Sequence, residues 1–229
     1  MKRWTRFGLF LVLAIPLFAQ DKESLRIEDA GRVMEQVLTA AETIPRSVLD
    51  QADCVLIIPS VLKFPVGTIG SYAPGVMSCR GGMGFYGPWG PPVMVAIESN
   101  ATKVQIASYA TDFILLVISP RAADQLLKGK VKLGSDVITA AGPTGKTASV
   151  STKAGILSYS HSKGLLDGIS LEGCAIRPDN AANKKVYGTD SSAQDIVFGK
   201  NLSVPESAKN LLNILQKTSP SKGIKAVPK

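Results

Sequence analysis

Apolar and polar residues alternate in two neighbouring segments, ILSYSHS (156–162) and ISLEGCAI (169–176). A period of two residues is typical of β-strands, and the glycine-bounded KGLLDG between the segments indicates a turn. The stretch 153–179 therefore predicts either a β-hairpin or two strands of one sheet.

The tip of this stretch is apolar where a turn usually carries Asn, Asp or Gly, because it contains Leu165 and Leu166. Two leucines at an exposed tip must be covered by the protein's own core, by lipid or by a partner. The sequence leaves these interpretations open. Leu165 and Leu166, together with Lys163, are candidate membrane contacts.

Apolar residues spaced three and four apart predict an amphipathic helix over 22–44, and RSVLDQA predicts a short second helix after Pro45. Residues 22–52 thus form an N-terminal helical part. A membrane-surface helix usually carries Lys and Arg on its polar face. The polar face here is mixed and leans acidic, so packing on the domain core is favoured.

Short strand-like runs punctuated by glycine and proline occupy 53–98, and the apolar FILLVI (113–118) predicts a buried strand. PRAADQLLKG predicts a short helix. The alternation and the buried strand together indicate a sheet covered on at least one face. The predicted fold class is α+β, with antiparallel strands from 53 to 177 in a curved sheet or partial barrel. N-terminal and C-terminal helices pack against it.

Three aromatic residues, Phe85, Tyr86 and Trp89, lie in the glycine- and proline-rich loop GGMGFYGPWGPP (81–92). Their rings either plug one end of the sheet or form a contact surface for lipid. The pattern leaves both interpretations open, so all three are candidate membrane contacts.

The C-terminal part predicts three helices, DNAANKKVYG capped by Asp179, SAQDIVFG, and VPESAKNLLNILQK with a leucine stripe. Residues 217–229 carry four lysines, two prolines and no acidic residue, which predicts a disordered basic tail.

The N-terminal segment MKRWTRFGLFLVLAIPLFAQ has three cations followed by an apolar run too short to span a bilayer. We interpret residues 1–19 as a secretory signal peptide and residues 20–216 as a single domain. Removing the peptide lowers the formal net charge from +8 to +8 − 3 = +5. The expected protein is exported, periplasmic or extracellular, and peripherally membrane-associated.

Export places the three cysteines in an oxidising compartment, where at most one intramolecular disulfide can form. Cys54 opens the strand-like CVLIIP and Cys79 closes the strand-like GVMSC. Because the segment between them is short and hairpin-like, we predict a Cys54–Cys79 disulfide. Cys174 then keeps its thiol.

No catalytic or metal-binding constellation is recognisable in the sequence. His161 is the single histidine and sits among strand serines without a nucleophile elbow, and the cysteines have no metal-ligand spacing. AAGPTGKT lacks the first glycine of a phosphate loop, and three Ser-x-x-Lys tetrads lack their companion motifs. We therefore predict that the protein is not an enzyme and uses no cofactor or metal. Nucleic acid is also disfavoured, because the aromatics are not interleaved with Lys or Arg.

The order of motifs resembles the SYLF domain family. The most specific matches are TDFILLV (111–117) and SYSHSKGLLDGISLEG (158–173), and CVLIIPSVLKFPVGTIGSY, GVMSCRGG and DNAANKKVYG also match. The similarity covers residues 30–200. The resemblance implies a non-enzymatic phospholipid-binding domain that has no catalytic residues to transfer.

Eukaryotic SYLF proteins bind phosphoinositides, and some bind actin, but an exported relative meets neither, so those activities are not carried over. The family's N-terminal amphipathic membrane helix has no basic counterpart at 22–44. The expected function is phospholipid binding at the periplasmic membrane face, with an anionic phospholipid surface as the partner. The alternative is a periplasmic protein-interaction or envelope-structural module that binds an envelope protein without direct lipid binding.

Overall fold

The computed structural model of the protein describes residues 21–39, 44–59, 71–99, 111–133, 137–139, 155–162, 174–199 and 202–222. Its helices are α1 (Lys22–Thr39), α2 (Arg46–Leu49), α3 (Pro120–Lys128), α4 (Asn180–Tyr187), α5 (Ala193–Phe198) and α6 (Lys209–Thr218). Its strands are β1 (Cys54–Ile58), β2 (Ser71–Cys79), β3 (Val93–Ser99), β4 (Thr111–Val117), β5 (Val131–Lys132), β6 (Val137–Thr139), β7 (Ile156–Ser162) and β8 (Cys174–Pro178). The fold class is α+β, as predicted.

The described strands form one eight-stranded sheet in the order β5-β8-β3-β2-β1-β4-β7-β6. Every neighbouring pair is antiparallel except β6 and β7, which run parallel. The prediction of an antiparallel sheet is therefore wrong for β6 alone. Parallel neighbours need a crossover of a dozen or more residues, and the segment 140–155 between β6 and β7 has that length.

Strands β7 and β8 do not form a hairpin, although they are the two alternating segments that predicted one. β7 pairs with β4, whereas β8 pairs with β3, and four strands separate them in the sheet. The hairpin interpretation is wrong and the interpretation as two strands of one sheet is correct. The segment 163–173 that connects them lies outside the described residues.

Both faces of the sheet are covered, which explains why β1 is buried at every position and why β4 has an unbroken apolar run from Phe113 to Val117. In β4, Ile114 and Leu116 pack in the core shared with α1, α2, α4 and α6. Phe113, Leu115 and Val117 pack in a second core with α3 and α5. A strand buried on both faces loses the polar-apolar alternation of a half-exposed strand.

Helix α1 packs its apolar stripe on the core and lies against α6, as its mixed polar face predicts. Close approach of the two helices favours a glycine at position 31. A Cβ atom there would lie 3.3 Å from the backbone nitrogen of Leu211 and 3.3 Å from the side-chain amide of Asn210. Among the described residues, no helix has the length and hydropathy needed to cross a membrane.

The folded domain extends further toward the C-terminus than the sequence predicts. Lys217 and Thr218 belong to α6, and Ser219 is completely buried. The predicted disordered tail at 217–229 is therefore wrong for residues 217–222. The physical reason is a set of buried polar contacts made by Ser219 and Lys222.

Candidate functional site

The loop between β2 and β3 is closed at its base and tightly turned at its tip. Arg80 and Trp89 form an isolated antiparallel bridge, and the Gly81 nitrogen donates to the Pro88 carbonyl at 2.8 Å. The tip is a 3-10 turn, Met83–Phe85, preceded by Gly82 at φ 74°. Because positive φ is easily reached only without a Cβ atom, glycine is required there.

Phe85 also has a positive φ, 61°, which is rare for a bulky residue and costs roughly 1–2 kcal/mol. This conformation turns the Phe85 ring inward, where it is 5% exposed. The neighbouring Tyr86 is 63% exposed and Met83 is 95% exposed. The loop therefore buries the Phe85 side chain and exposes the side chains of Met83 and Tyr86.

Phe85 and Trp89 are core residues and not surface contacts, which corrects their assignment as candidate membrane contacts. Phe85 joins the core that contains α3 and α5, while Trp89 joins the core that contains α1 and α6. The two rings thus pack into the cores on opposite faces of the sheet. Of the three predicted aromatics, Tyr86 alone remains on the surface.

Phe198, the last residue of α5, adds to the apolar surface of the loop. Its ring centroid lies 5.5 Å from that of Phe85, and the residue is 43% exposed. We call Met83, Tyr86 and Phe198 the loop patch, because all three are exposed and lie within two residues of Phe85 in the sequence or in ring contact with it. Nothing in the local sequence pattern linked α5 to this loop.

A completely buried arginine, Arg80, lies beneath the loop. Its guanidinium stacks on the Trp89 ring at 4.1 Å, its Nε donates to the Ala52 carbonyl at 3.1 Å, and its Nη2 donates to the Ser219 carbonyl at 3.0 Å. Desolvation lowers the pKa of Arg80, while the carboxylates of Asp50 and Asp53 oppose that shift. The arginine thereby ties the loop to the chain beyond α6.

Ser219 is the second centre of this buried network. Its carbonyl also accepts from Trp89 Nε1 at 2.9 Å, and its hydroxyl donates to Asp50 Oδ1 at 2.6 Å. Four residues from three parts of the chain, Arg80, Trp89, Asp50 and Ser219, are thus linked by hydrogen bonds that converge on Ser219. We call residues 219–222 the C-terminal strap.

The strap ends in a buried ion pair at the edge of the loop. Lys222 Nζ pairs with Asp53 Oδ1, and the two side chains are 8% and 0% exposed. The same nitrogen lies 4.8 Å from the Tyr86 ring centroid and 3.4 Å from the Gly84 carbonyl oxygen. We call Asp53, Tyr86 and Gly84 the ammonium box.

The predicted disulfide lies beside this network. Cys54 and Cys79 face each other in the β1–β2 register and are bonded at 2.07 Å, as the sequence predicts. Asp53 immediately precedes one cysteine and Arg80 follows the other. Cys174 is buried and takes no part in the bond.

A second polar cluster links β2, β3 and β8 with α1. Tyr72 donates to Asp179 Oδ2, and Arg26 lies 3.8 Å from the same carboxylate oxygen. Burial, followed by this hydrogen bond, raises the pKa of Tyr72 to about 12. Hydrogen bonds from Lys130 and then Arg177 lower the pKa of Glu98. These contacts connect neighbouring strands of the sheet to each other and to α1.

Lys163, Leu165 and Leu166 lie outside the described residues, so the tip keeps its status as a prediction. Sequence reasoning missed the buried network and the loop patch residues Met83 and Phe198. One available signal was the charged Arg80 between an apolar strand and a glycine pair. Within the described ranges, no group of three or more His, Cys, Asp or Glu residues could hold a metal ion.

Comparison with protein families matches residues 101–218 to the family described as Ysc84, Las17-binding protein actin regulator. Protein YSC84 of Saccharomyces cerevisiae is 33% identical over 207 residues, which are 87% of this chain and 43% of the yeast protein.

Similarity extends to fission yeast and human proteins. The SH3 domain-containing protein PJ696.02 of Schizosaccharomyces pombe is 34% identical over 91% of this chain and 49% of its own length. The SH3 domain-containing YSC84-like protein 1 of Homo sapiens is 29% identical over 61% of this chain and 44% of its own length. This chain therefore spans less than half the length of each of these relatives.

Proposed function

The chain belongs to the Ysc84 family of Las17-binding protein actin regulators, and from that premise we propose that it is a non-enzymatic module that binds anionic phospholipid at a membrane face. The family is described by binding and regulation and not by a reaction. Lipid as the ligand is the expectation from the SYLF resemblance, and the surface of this chain supports it.

The loop patch is the observation that carries the proposal. Met83 is almost fully exposed at the tip of a loop that the Arg80–Trp89 bridge closes. Tyr86 follows Phe85 in the sequence and the Phe198 ring contacts the Phe85 ring, and both residues are exposed. Burying one large apolar side chain in the interfacial region is worth about 1.5–3 kcal/mol. Two or three such side chains give weak, reversible attachment, which the positive net charge of the chain assists at an anionic surface.

Co-sedimentation with phosphatidylglycerol vesicles tests this surface. We expect Met83→Asp combined with Tyr86→Asp to reduce the bound fraction at least about tenfold, because one lost apolar insertion is already worth that factor. Leu25→Asp is the matched control, since Leu25 is an exposed apolar residue on α1. If Leu25→Asp abolishes binding and the loop variant does not, the contact is α1 and the loop proposal is wrong.

The tip residues Lys163, Leu165 and Leu166 are proposed as a second contact on the basis of their sequence pattern. Leu165→Asp combined with Leu166→Asp should weaken vesicle binding independently of the loop variant. Unchanged binding in this double variant would remove the tip from the proposal.

Export to an oxidising compartment accompanies the proposed function. The Cys54–Cys79 disulfide is consistent with such a compartment, and the N-terminal segment has the organisation of a secretory signal. Recovery of a shortened chain from the periplasmic fraction of an expressing bacterium would support this localisation. Recovery of the full chain from the cytoplasm would contradict it.

The alternative function is binding to an envelope protein through the same patch. The family description favours it, because that description names a protein, Las17, as what family members bind. Failure to bind vesicles of any composition, together with co-purification of an envelope protein that Met83→Asp releases, would replace the lipid proposal with this one.

A further inference from the structure

The ammonium box has the composition of a ligand site, although the chain's own Lys222 occupies it. It combines a completely buried carboxylate on Asp53, the ring face of Tyr86 at 4.8 Å and the carbonyl of Gly84 at 3.4 Å. A carboxylate, an aromatic face and a carbonyl are the three kinds of group that bind an organic ammonium. Here all three converge on one nitrogen.

One wall of the box belongs to the loop patch. Tyr86 contributes its ring to Lys222 and is also 63% exposed on the proposed membrane contact. A headgroup that contacts Tyr86 in the patch therefore contacts a residue of the box. No other described residue belongs to both the patch and the box.

The strap can release Lys222 without losing its own anchor. Ser219 is buried and held by Arg80, Trp89 and Asp50, whereas Pro220 and Ser221 are exposed. Exchange of Lys222 for another ammonium then requires movement beyond Ser219, where the Pro220 carbonyl accepts an exposed hydrogen bond from Gln216 Nε2 at 3.0 Å. Asp53 stays paired throughout if the incoming group is a cation.

We infer that the ammonium box is a site for the primary ammonium of a phospholipid headgroup, which competes with Lys222 when the loop patch meets a membrane. The inference rests on the proposed lipid-binding function and names its headgroup, that of phosphatidylethanolamine. Two acceptor oxygens, on Asp53 and Gly84, need N–H donors. A primary ammonium supplies three and a quaternary choline supplies none.

Chemical rescue tests the box without any membrane. Lys222→Ala removes three methylene groups and the ammonium, and n-propylammonium supplies a carbon chain of that length with its charge. We expect n-propylammonium to raise the thermal midpoint of Lys222→Ala by at least about 4 °C more than sodium chloride at the same concentration. Tetramethylammonium should give less than half of that shift.

Three variants control the rescue experiment. Lys222→Met fills the space without a charge and should not respond, and Lys217→Ala, which alters an exposed lysine on α6, should not respond either. Asp53→Asn in the Lys222→Ala background should abolish the response. If Lys222→Ala does not fold by itself, refolding it in n-propylammonium should restore the native fold. Equal shifts with all three salts, or failure of refolding, would overturn the site.

Vesicles then test the headgroup. Lys222→Ala should bind vesicles of phosphatidylglycerol with phosphatidylethanolamine at least about fivefold more tightly than vesicles in which phosphatidylcholine replaces the ethanolamine lipid. The wild-type chain should show a smaller preference in the same direction, because Lys222 competes. If every vesicle binds equally well, the headgroup inference fails and lipid binding stands. If no vesicle binds, the proposed function fails, and rescue by n-propylammonium then reports a site for soluble amines.

Discussion

A buried arginine is tolerated at position 80 because its guanidinium stacks on Trp89 and donates hydrogen bonds from Nε and Nη2. Burying an unpaired charge costs several kcal/mol, and hydrogen bonds together with nearby carboxylates offset that cost. The Trp89 ring covers one face, two carbonyls accept from its nitrogens, and Asp50 and Asp53 supply negative charge. Arg80 therefore links the β2–β3 loop to the C-terminal strap.

Replacing Arg80 by alanine should lower the free energy of unfolding by about 3–5 kcal/mol, because it leaves the buried carbonyls of Ala52 and Ser219 without their charged donor and removes a positive charge near Asp50 and Asp53. Urea denaturation measures the change. Arg32→Ala is the matched control, since Arg32 is an exposed arginine paired with Asp29 and should cost at most about 1 kcal/mol. Similar losses in the two variants would contradict the proposed role of Arg80.

The phenol of Tyr72 predicts a loss of stability in alkali. Burial and the hydrogen bond to Asp179 raise its pKa to about 12 in the folded protein, above the value of about 10 in an unfolded chain. Its contribution is complete below pH 10 and disappears as the pH rises toward 12. The difference in unfolding free energy between wild type and Tyr72→Phe should therefore shrink from pH 9 to 12. A constant difference in urea denaturation across that range would contradict the shift.

Residue roles set by near neighbours in the sequence could be predicted, and roles set by distant ones could not. The Asp179 side chain caps α4 by accepting from the Ala182 nitrogen, as its position predicts. Arg80 instead finds its partner Ser219 at a separation of 139 residues. No local pattern encodes that contact, so the residue that organises the buried network was missed.

At the scale of elements, helices and buried strands followed from periodicity, whereas strand partners did not. The apolar FILLVI run lies in β4 as far as Val117, and the leucine stripe of α6 is buried at Leu211 and Leu215. Alternation in β7 and β8 gave two strands but the wrong pairing. Pairing depends on which apolar faces meet across the whole sheet, and two strands close in sequence can lie far apart.

Helix α5 begins with a complete capping box, and substitutions in that box test its contribution to stability. The Ser192 hydroxyl accepts from the Asp195 nitrogen, and the Asp195 carboxylate accepts from the Ser192 nitrogen. Ser192→Ala should cost about 1 kcal/mol of stability, and Ser192→Gly only a few tenths. Urea denaturation of both variants checks the order. Equal losses would mean that the cap does not limit the stability of α5, which carries Phe198.

At the scale of the whole molecule, two segments far apart in the sequence, the β1–β2 pair and the C-terminal strap, are held together at one end of the sheet. The disulfide holds the β1–β2 pair, and the residues flanking it, Asp53 and Arg80, hold the strap. The loop patch meets this assembly through Tyr86, whose ring centroid lies 4.8 Å from the Lys222 ammonium. A rigid base under an exposed apolar loop is what reversible surface binding needs, because little conformational entropy is then lost on contact.

The state of the cysteines tests this arrangement and the proposed export together. Closing a loop with a sequence separation of 25 should stabilise the protein by about 3.5 kcal/mol, since the bond restricts the unfolded chain. Cys54→Ala combined with Cys79→Ala should lose that amount in urea denaturation. Added dithiothreitol should destabilise the wild type and leave the double variant unchanged.

Thiol titration of the denatured, non-reduced protein gives the direct count. One reactive cysteine, Cys174, is expected for protein recovered from an oxidising compartment, and three are expected after reduction. Three thiols before reduction would mean that the bond does not form in the cell and would remove its support for export. A bridge that contains Cys174 would contradict the sheet order, because Cys174 opens β8, which β3 separates from β2, and the β1–β2 register places Cys54 opposite Cys79.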